Sequence, residues 1–326
     1  MIKKMFISAI LLLAVMSFVV SLLKGNNNGE KTVVKNPDRV AVINIEGTIV
    51  CGGDNVRDGL FNQTAGVTSG SIMSQLREAA QDDSVKAVLL RIDSGGGSAT
   101  AAEEVGRELK RFKEKTNKPV VAAMGNTAAS AAYWIAACES DKIFANATTL
   151  TGSIGVYMPY MNTEELFKKI GIVSDKIKSG PHKDIMANDR PMTPEEKAIM
   201  QNIVNEIYDE FISAVAAGRK LDPVQVRNLA DGRVYTGAQA KKLGLVDELG
   251  NYYDALAAAG ELGKIAPGKD GLPEVKAQER PHPWEFLLGA ELGKIVQGAV
   301  MRQLGADVTG ALLPPAFLRR SNGGAS

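Results

Sequence analysis

The stretch PVVAAMGNTAASAAYWIAAC, residues 119–138, gives the clearest indication of the fold class. Pro119–Met124 is apolar and predicts a buried strand, and Gly125 predicts a turn. The small and apolar residues from near Ala128 onward predict a helix whose first turn contains Ser130. A helix N-terminus favours a developing negative charge, which suits a nucleophile, but serine there also caps buried helices. The stretch alone leaves both interpretations of Ser130 open.

Strand and helix signals alternate on both sides of this stretch. Arg39–Ile45 predicts a strand, residues 47–70 predict a loop rich in glycine and polar residues, and Val85–Ile92 predicts a further strand. Ala101–Lys115 predicts a charged amphipathic helix, and the capping box in Thr193–Glu196 predicts the start of a long helix. Strands joined by helices imply right-handed crossovers. The sequence therefore predicts an α/β fold with a mostly parallel sheet.

A glycine-rich segment, SGGGS at residues 94–98, follows the strand Val85–Ile92. It contains neither the G-x-G-x-x-G fingerprint of dinucleotide sites nor the Gly-Lys-Ser/Thr ending of a P-loop. It predicts a turn with exposed amide donors at a helix N-terminus. Such donors suit an oxyanion or a carbonyl, although a tight turn that binds nothing explains the glycines equally well.

The composition limits the chemistry. With 38 basic and 37 acidic side chains the net charge is +1, which argues against nucleic acid as the main partner. Two cysteines, Cys51 and Cys138, form neither a disulfide framework nor a zinc site, and Cys138 is expected to pack in the core. No histidine lies between Ser130 and His182, so the candidate bases for Ser130 are lysines. Lys183 is one of several, and on spacing alone solvation at the surface is the better explanation of any single lysine.

The N-terminal residues predict a membrane anchor. Lys3 and Lys4 precede an uncharged stretch, Met5–Leu23. At about 1.5 Å per residue, a helix of this length nearly spans a bilayer core of roughly 30 Å. A cleaved signal peptide is the alternative, but residues 21–25 make a poor cleavage site. We expect an anchor within residues 1–25 with a cytoplasmic N-terminus, a polar tether over residues 26–37 and an extracytoplasmic remainder.

Three segments together are similar to a known family. AASAAYWIAACESDKIFANATTLTGSIGV starts at Ala128, IKSGPHKDIMANDRPMTPEE at Ile177 and LADGRVYTGAQAKKLGLVDELG at Leu229. In this order they resemble signal peptide peptidase A, a family of membrane-anchored serine-lysine peptidases on the Clp protease/crotonase-like fold. The resemblance runs from about Arg39 to about Glu261. It implies repeated β-β-α or β-α units, a peptidase domain over residues 38–265 and a C-terminal appendage over residues 266–326 that docks on a neighbouring subunit.

The resemblance also assigns roles to residues. It implies Ser130 as the nucleophile, Lys183 as the general base and Ser153 as the residue that orients the lysine. It implies that the backbone amides of three residues line the oxyanion hole: Gly96, Gly97 and Ala131. No metal or cofactor is implied.

This chain departs from the family pattern at two places. Gly95 stands where the family usually has proline, which adds freedom to the oxyanion loop. Ala131 and Ala132 stand where it usually has two glycines, so the backbone there needs negative φ angles.

The proposed chemistry sets requirements. A lysine acts as a base only when neutral, so Lys183 is expected to be buried near Ser153, with Asp184 turned away. Longer family members place lysine and serine in different halves. A chain of this length therefore implies a ring-like homo-oligomer in which Ser130 and Lys183 of one site come from adjacent chains. The implied substrates are remnant signal peptides and small unfolded proteins.

Two other functions are compatible with parts of the pattern. An acyl-CoA hydratase or isomerase of the crotonase type uses a similar oxyanion hole, but it usually supplies carboxylates as acid and base. A catalytically silent scaffold could bind peptides at a membrane, although the presence of Ser130, Lys183 and Ser153 weighs against it.

Overall fold

The computed structural model describes residues 37–53 and 66–276. The predicted anchor, nearly all of the tether and most of the appendage lie outside these residues. Among the described residues, no helix is both long enough and apolar enough to cross a bilayer.

Nine strands and eight helices are found in the described part of the chain. The strands are β1 Arg39–Val50, β2 Gly66–Thr68, β3 Val85–Gly97, β4 Val120–Ala129, β5 Lys142–Ala145, β6 Leu150–Gly152, β7 Val234–Thr236, β8 Glu248–Leu249 and β9 Val275–Lys276. The helices are α1 Ser69–Gln81, α2 Ala99–Thr116, α3 Ala131–Glu139, α4 Glu164–Lys169, α5 Pro194–Arg219, α6 Pro223–Leu229, α7 Gly237–Lys242 and α8 Tyr252–Leu262.

The strands form one mixed sheet in the order β2-β1-β3-β4-β5-β8. All neighbours along this path are parallel, and β6 joins β4 in parallel while β7 pairs with β6 in antiparallel fashion. The predicted α/β class with a mostly parallel sheet is confirmed, and the arrangement fits a Clp protease/crotonase-like fold. Strand β9 pairs with β1, so the sheet takes in residues beyond 265, where the sequence places the end of the peptidase domain.

Strands β3 and β4 are longer than the sequence predicts. Each extends into its glycine-containing segment because its residues remain paired with a neighbouring strand there. Strand β3 continues to Gly97 alongside β1, and β4 continues to Ala129 alongside β6. Register shifts in β3 and β1 accommodate these extensions. Helix α3 therefore begins at Ala131 and not near Ala128, and Ser130 lies directly between strand and helix.

The predicted loop over residues 47–70 is also shorter than expected where it is described. Strand β1 continues to Val50, β2 covers Gly66–Thr68, and α1 begins at Ser69 with Thr68 as its N-cap. These strand residues pair with each other, which satisfies backbone groups that a loop would expose.

Helix α3 lies in the centre of the core. Every residue from Ala131 to Ala137 is buried. The Trp134 ring stacks on Phe211 of α5 with ring centroids 4.8 Å apart, and the buried Tyr133 hydroxyl donates to the Leu245 carbonyl at 2.9 Å. The sequence pattern, apolar on all sides, is the one expected for a helix covered on all sides. Packing around α3 thus fixes the residue that precedes it, Ser130.

We predict that Trp134→Ala lowers the free energy of unfolding by about 3–5 kcal/mol, because it removes a buried aromatic side chain and leaves a cavity beside Phe211. Chemical denaturation of the folded protein measures this change. Tyr253 is an aromatic residue with 61% exposure, so Tyr253→Ala is the matched control and should have a much smaller effect. Equal losses in the two variants would contradict the central packing role of Trp134.

Candidate active site

Ser130 occupies a strained turn between β4 and α3. Its φ is 55° and its ψ is −127°, a backbone conformation that residues other than glycine rarely adopt. Such residues cost about 1–3 kcal/mol and persist where the surroundings determine them. Although Ser130 is the N-cap residue, its side chain makes no capping hydrogen bond. The hydroxyl is therefore not used as a cap, which removes the simpler interpretation of this serine.

Hydrogen bonds on both sides hold the strained turn. The Ser130 N–H donates to the Gly152 carbonyl at 2.9 Å, and the Ser130 carbonyl accepts from the Trp134 N–H at 2.9 Å. The first bond ties the turn to β6 and the second starts α3. The amide of Ala131, the first helical residue, has no acceptor within the helix, because the first N–H groups of a helix lack intrahelical partners. This is the position required of an oxyanion donor.

The glycine-rich end of β3 lies against Ser130. Gly96 has a φ of 105°, and a Cβ added there would lie 2.7 Å from the Ser130 Cβ and 2.8 Å from the Ala129 carbonyl oxygen. Only glycine fits this approach. Gly97 follows with a φ of 156° and pairs with Ile49. The structure thus brings the predicted oxyanion segment into contact with the predicted nucleophile.

Ser94 is a buried residue of this segment that the sequence did not single out. Its hydroxyl donates to the Gly47 carbonyl at 2.5 Å and accepts from the Gly96 N–H at 3.0 Å. The Gly96 amide is therefore bonded internally in this structure. To donate to an oxyanion, the Gly96 amide would have to share or give up its hydrogen bond to the Ser94 hydroxyl. The Ala131 amide has no such bond to give up.

Ser153 lies close to Ser130 because each serine directly follows the end of one of two paired strands. Ala129 of β4 is opposite Gly152 of β6, and each serine comes one residue later. Ser153 also has a positive φ, 49°, and its N–H donates to the Arg233 carbonyl at 2.9 Å. The strand register thus brings the predicted lysine-orienting serine close to the predicted nucleophile.

Lys183 is exposed in the protomer. The prediction that its side chain is buried is therefore wrong for the single protomer. From Gly155 to Glu195 not one residue is buried. We call residues 155–193 the lysine arm. Its residues hydrogen-bond with one another, as when the Tyr160 hydroxyl donates to the Arg190 carbonyl at 2.5 Å, but the protomer provides no apolar surface that covers them.

The lysine arm exposes an unusual number of large apolar side chains. None of the residues of α4 is buried, and Val173 is 92% exposed. The other large apolar residues exposed on the arm are Tyr157, Met161, Leu166, Ile170, Ile172 and Ile177. A concentration of this kind marks a surface for association with another molecule.

Asp184, the residue after Lys183, is turned toward cations other than Lys183, in keeping with the expectation that it faces away. Arg190 and Lys178 each hydrogen-bond to its carboxylate at 2.8 Å. These bonds, Arg190 first, hold the pKa of Asp184 well below its usual range. Arg190 also binds Glu196, and together with the Thr193 N–H it lowers the pKa of Glu196 to about 2. Sequence reasoning read Glu196 only as part of a capping box and missed Arg190.

The remaining candidate groups have structural roles. Cys138 is largely enclosed, its thiol donates to the Ile135 carbonyl at 3.3 Å, and burial raises the pKa of Cys138 to about 12. The thiol is therefore not a nucleophile at neutral pH, and the predicted packing role is confirmed. Among residues 37–53 and 66–276, no group of histidine, cysteine, aspartate or glutamate residues is arranged to hold a metal.

Comparison with known proteins links this geometry to a peptidase family. Residues 112–266 match peptidase family S49. The chain is 41% identical over 222 residues to a Synechocystis sp. protein named putative protease, covering 68% of this chain and 78% of that protein. It is 38% identical over 229 residues to Protease 4 of Haemophilus influenzae, covering 69% of this chain and 35% of the relative. An Enterococcus faecium protein named putative signal peptide peptidase SppA is 42% identical over 186 residues, 57% of this chain and 54% of the relative.

We predict that Gly96→Ala lowers kcat/KM for an apolar fluorogenic peptide by at least about a hundredfold, the loss seen when one oxyanion donor is removed. The added Cβ would collide with Ser130 and Ala129 and displace the donor segment. Gly95→Ala is the matched control, because no atom lies within 4 Å of a Cβ at that position. Parental activity in Gly96→Ala, or equal losses in both variants, would contradict the assigned geometry.

Proposed function

The chain belongs to peptidase family S49, and from this we propose that it is a membrane-anchored serine endopeptidase that cleaves remnant signal peptides with a Ser130–Lys183 dyad. One observation carries the proposal. The Ser130 hydroxyl makes no capping hydrogen bond, although it lies on a strained turn at the N-terminus of α3. The Gly96 segment and Ser153 lie beside it. The residues that we propose as nucleophile and oxyanion donors are therefore neighbours at this turn, and Ser153 follows the strand paired with β4.

Ser130 Oγ would attack the peptide carbonyl while Lys183 accepts its proton. The oxyanion that forms would lie against the Ala131 amide and the Gly96–Gly97 segment, where each donor contributes about 3 kcal/mol to the transition state. The leaving amine would take the proton back from Lys183, giving an acyl-enzyme on Ser130. A water molecule deprotonated by the same lysine would then release the acyl group.

Completion of the site requires a second copy of the chain. Burial disfavours the charged form of a lysine, and Lys183 is exposed in the protomer. The apolar side chains of the lysine arm are exposed beside it. If the arm packs on a neighbouring protomer, one contact would bury these side chains, desolvate Lys183 and bring it to a Ser130. We infer a closed homo-oligomer in which adjacent chains share each active site.

Apolar, extended peptides are the substrate class that this proposal implies. Among the relatives, the Enterococcus faecium protein is named for signal peptides, which are apolar. The uncharged stretch Met5–Leu23 would hold the peptidase at the membrane where such remnants are found, with its catalytic domain on the extracytoplasmic side. An acyl-CoA enzyme or a silent scaffold has no comparable support, because the family to which the chain belongs consists of peptidases.

We predict that Ser130→Ala and Lys183→Ala each abolish hydrolysis of an apolar signal-peptide substrate by the full-length protein in detergent. Mixing the two inactive proteins should restore part of the activity, because some sites then combine an intact Ser130 with an intact Lys183 from the neighbour. Subunit exchange is verified with differently tagged chains. Undiminished activity of Ser130→Ala would refute the nucleophile, and failure of exchanged mixtures to recover would refute the shared site alone.

We predict that Val173→Asp reduces the oligomer to smaller species and lowers activity at least tenfold, because it places a charge in the apolar contact of the lysine arm. Analytical ultracentrifugation and peptide hydrolysis measure the two effects. Val224, which is 67% exposed on α6, provides the matched control, and Val224→Asp should leave both quantities unchanged. An intact, active Val173→Asp oligomer would place the subunit contact elsewhere.

A further inference from the structure

Arg190 joins the lysine arm to the start of helix α5. Its Nε and Nη2 donate to the two carboxylate oxygens of Asp184, each at 2.8 Å. Its Nη1 and Nη2 donate to the two oxygens of Glu196 at 2.8 and 2.6 Å, and Nη1 also donates to the Pro191 carbonyl at 3.1 Å. All five N–H donors of the guanidinium are therefore used, which is the fixed fork geometry that lysine cannot reproduce.

The two carboxylates that Arg190 joins have different surroundings. The Glu196 side chain is 2% exposed in α5, and it also accepts from the Thr193 N–H at 2.9 Å in the capping box. Asp184 immediately follows Lys183 in the otherwise exposed lysine arm. Arg190 thus links the residue beside the proposed base to the first buried residue after the arm. Because the lysine arm has no buried core of its own, the bonds of Arg190 to Asp184 and Glu196 are what attach this part of the arm to helix α5.

We propose that Arg190 is a positioning residue for Lys183, holding the backbone of the lysine through Asp184 and cancelling the Asp184 charge beside the base. The inference rests on the proposed function and adds a residue that acts through Lys183. A free carboxylate next to Lys183 would stabilise its ammonium form and oppose its use as a base. With Arg190 and Lys178 both bound to Asp184, that stabilisation is removed.

Other charged groups near Asp184 are paired as well. Lys176 binds Asp189 and lies 3.8 Å from Asp184. His182 Nε2 lies 3.6 Å from a Glu195 carboxylate oxygen. Apart from Lys183 itself and the His182–Glu195 contact, the paired charges around Asp184 are three cations, Lys176, Lys178 and Arg190, and three anions, Asp184, Asp189 and Glu196. Removal of Arg190 therefore leaves one negative charge in excess within this group of paired charges.

The test compares pH–rate profiles of the full-length protein and its variants on an apolar fluorogenic peptide. In Arg190→Gln, we expect kcat to fall by about tenfold to a hundredfold from misplacement of the base. We also expect the acid limb of kcat/KM to move up by about one pH unit or more, because Asp184 loses its bidentate partner and keeps only its contacts with the Lys178 and Lys176 side chains. The double variant Arg190→Gln, Asp184→Asn removes that charge and should return the acid limb to the parental pH, with kcat still lowered.

Two further variants separate charge from geometry. Arg190→Lys keeps a positive charge but loses the fixed donor geometry of the guanidinium. We therefore expect kcat to fall while the acid limb of the kcat/KM profile stays at the parental pH. Arg227→Gln removes an exposed partner of Asp209 and is the matched control, which should behave like the parent. If Arg190→Gln fails to assemble, the comparison of Arg190→Lys with the parent decides the question.

The proposal is overturned if Arg190→Lys and Arg190→Gln both keep the parental kcat. It is also overturned if the acid limb of the kcat/KM profile does not move in Arg190→Gln. It is also overturned if the acid limb of the double variant remains shifted. Retention of activity by Ser130→Ala or Lys183→Ala would instead refute the proposed function, so the two failures are distinguishable.

Discussion

The left-handed backbone at Ser130 is the constraint on which the rest of the site depends. The turn is strained, and it persists because β6, α3 and the Gly96 segment hold it from three directions. The hydrogen bond from Ser130 to Gly152 also brings Ser153 alongside. The buried helix α3 then fixes the direction in which the Ala131 amide points. Removing any one of these supports would relax the turn and separate the groups that it assembles.

The lysine arm is built on a different principle from the core around Ser130. Between Gly155 and Glu195 the protomer buries no residue, and the arm is held by hydrogen bonds and ion pairs centred on Arg190. Its apolar side chains point outward. Under the proposed function, the turn at Ser130 would hold the nucleophile and the lysine arm would supply its base, so each would complete the other. Their union between protomers would link catalysis to assembly, so that an isolated chain would be inactive.

Much of the fold could be predicted from the sequence, because apolar strands and amphipathic helices alternate with clear local signals. The ends of β3 and β4 could not, since the sequence predicts a turn at Gly96 and a helix from near Ala128, and only the pairing with β1 and β6 shows that both residues lie in strands. The positive φ of Ser130 is likewise set by tertiary packing and has no signature in a run of alanines. Local chemistry identified Ser130, and the family resemblance identified Ser153 and Lys183.

The burial of Lys183 was the main prediction that the protomer does not bear out, because no part of the protomer covers the segment from Gly155 to Glu195. Arg190 was missed because its partners, Asp184 and Glu196, lie six residues away on either side. In a helix this spacing puts side chains on different faces, and in a strand it puts them about 20 Å apart. Folding of the arm brings these three charges together. The cluster can therefore be recognised from the folded structure but not from the spacing of these residues in the sequence.

The most direct measurement for the shared site is chemical cross-linking between positions 130 and 183. Full-length protein carrying Ser130→Cys and Lys183→Cys, with Cys51→Ser to remove the exposed native thiol, would be treated with a short bifunctional maleimide. A shared site predicts links between chains, seen as covalent dimers and larger species in denaturing gels and mapped by mass spectrometry. Cross-links only within single chains, or none in the assembled protein, would contradict the account.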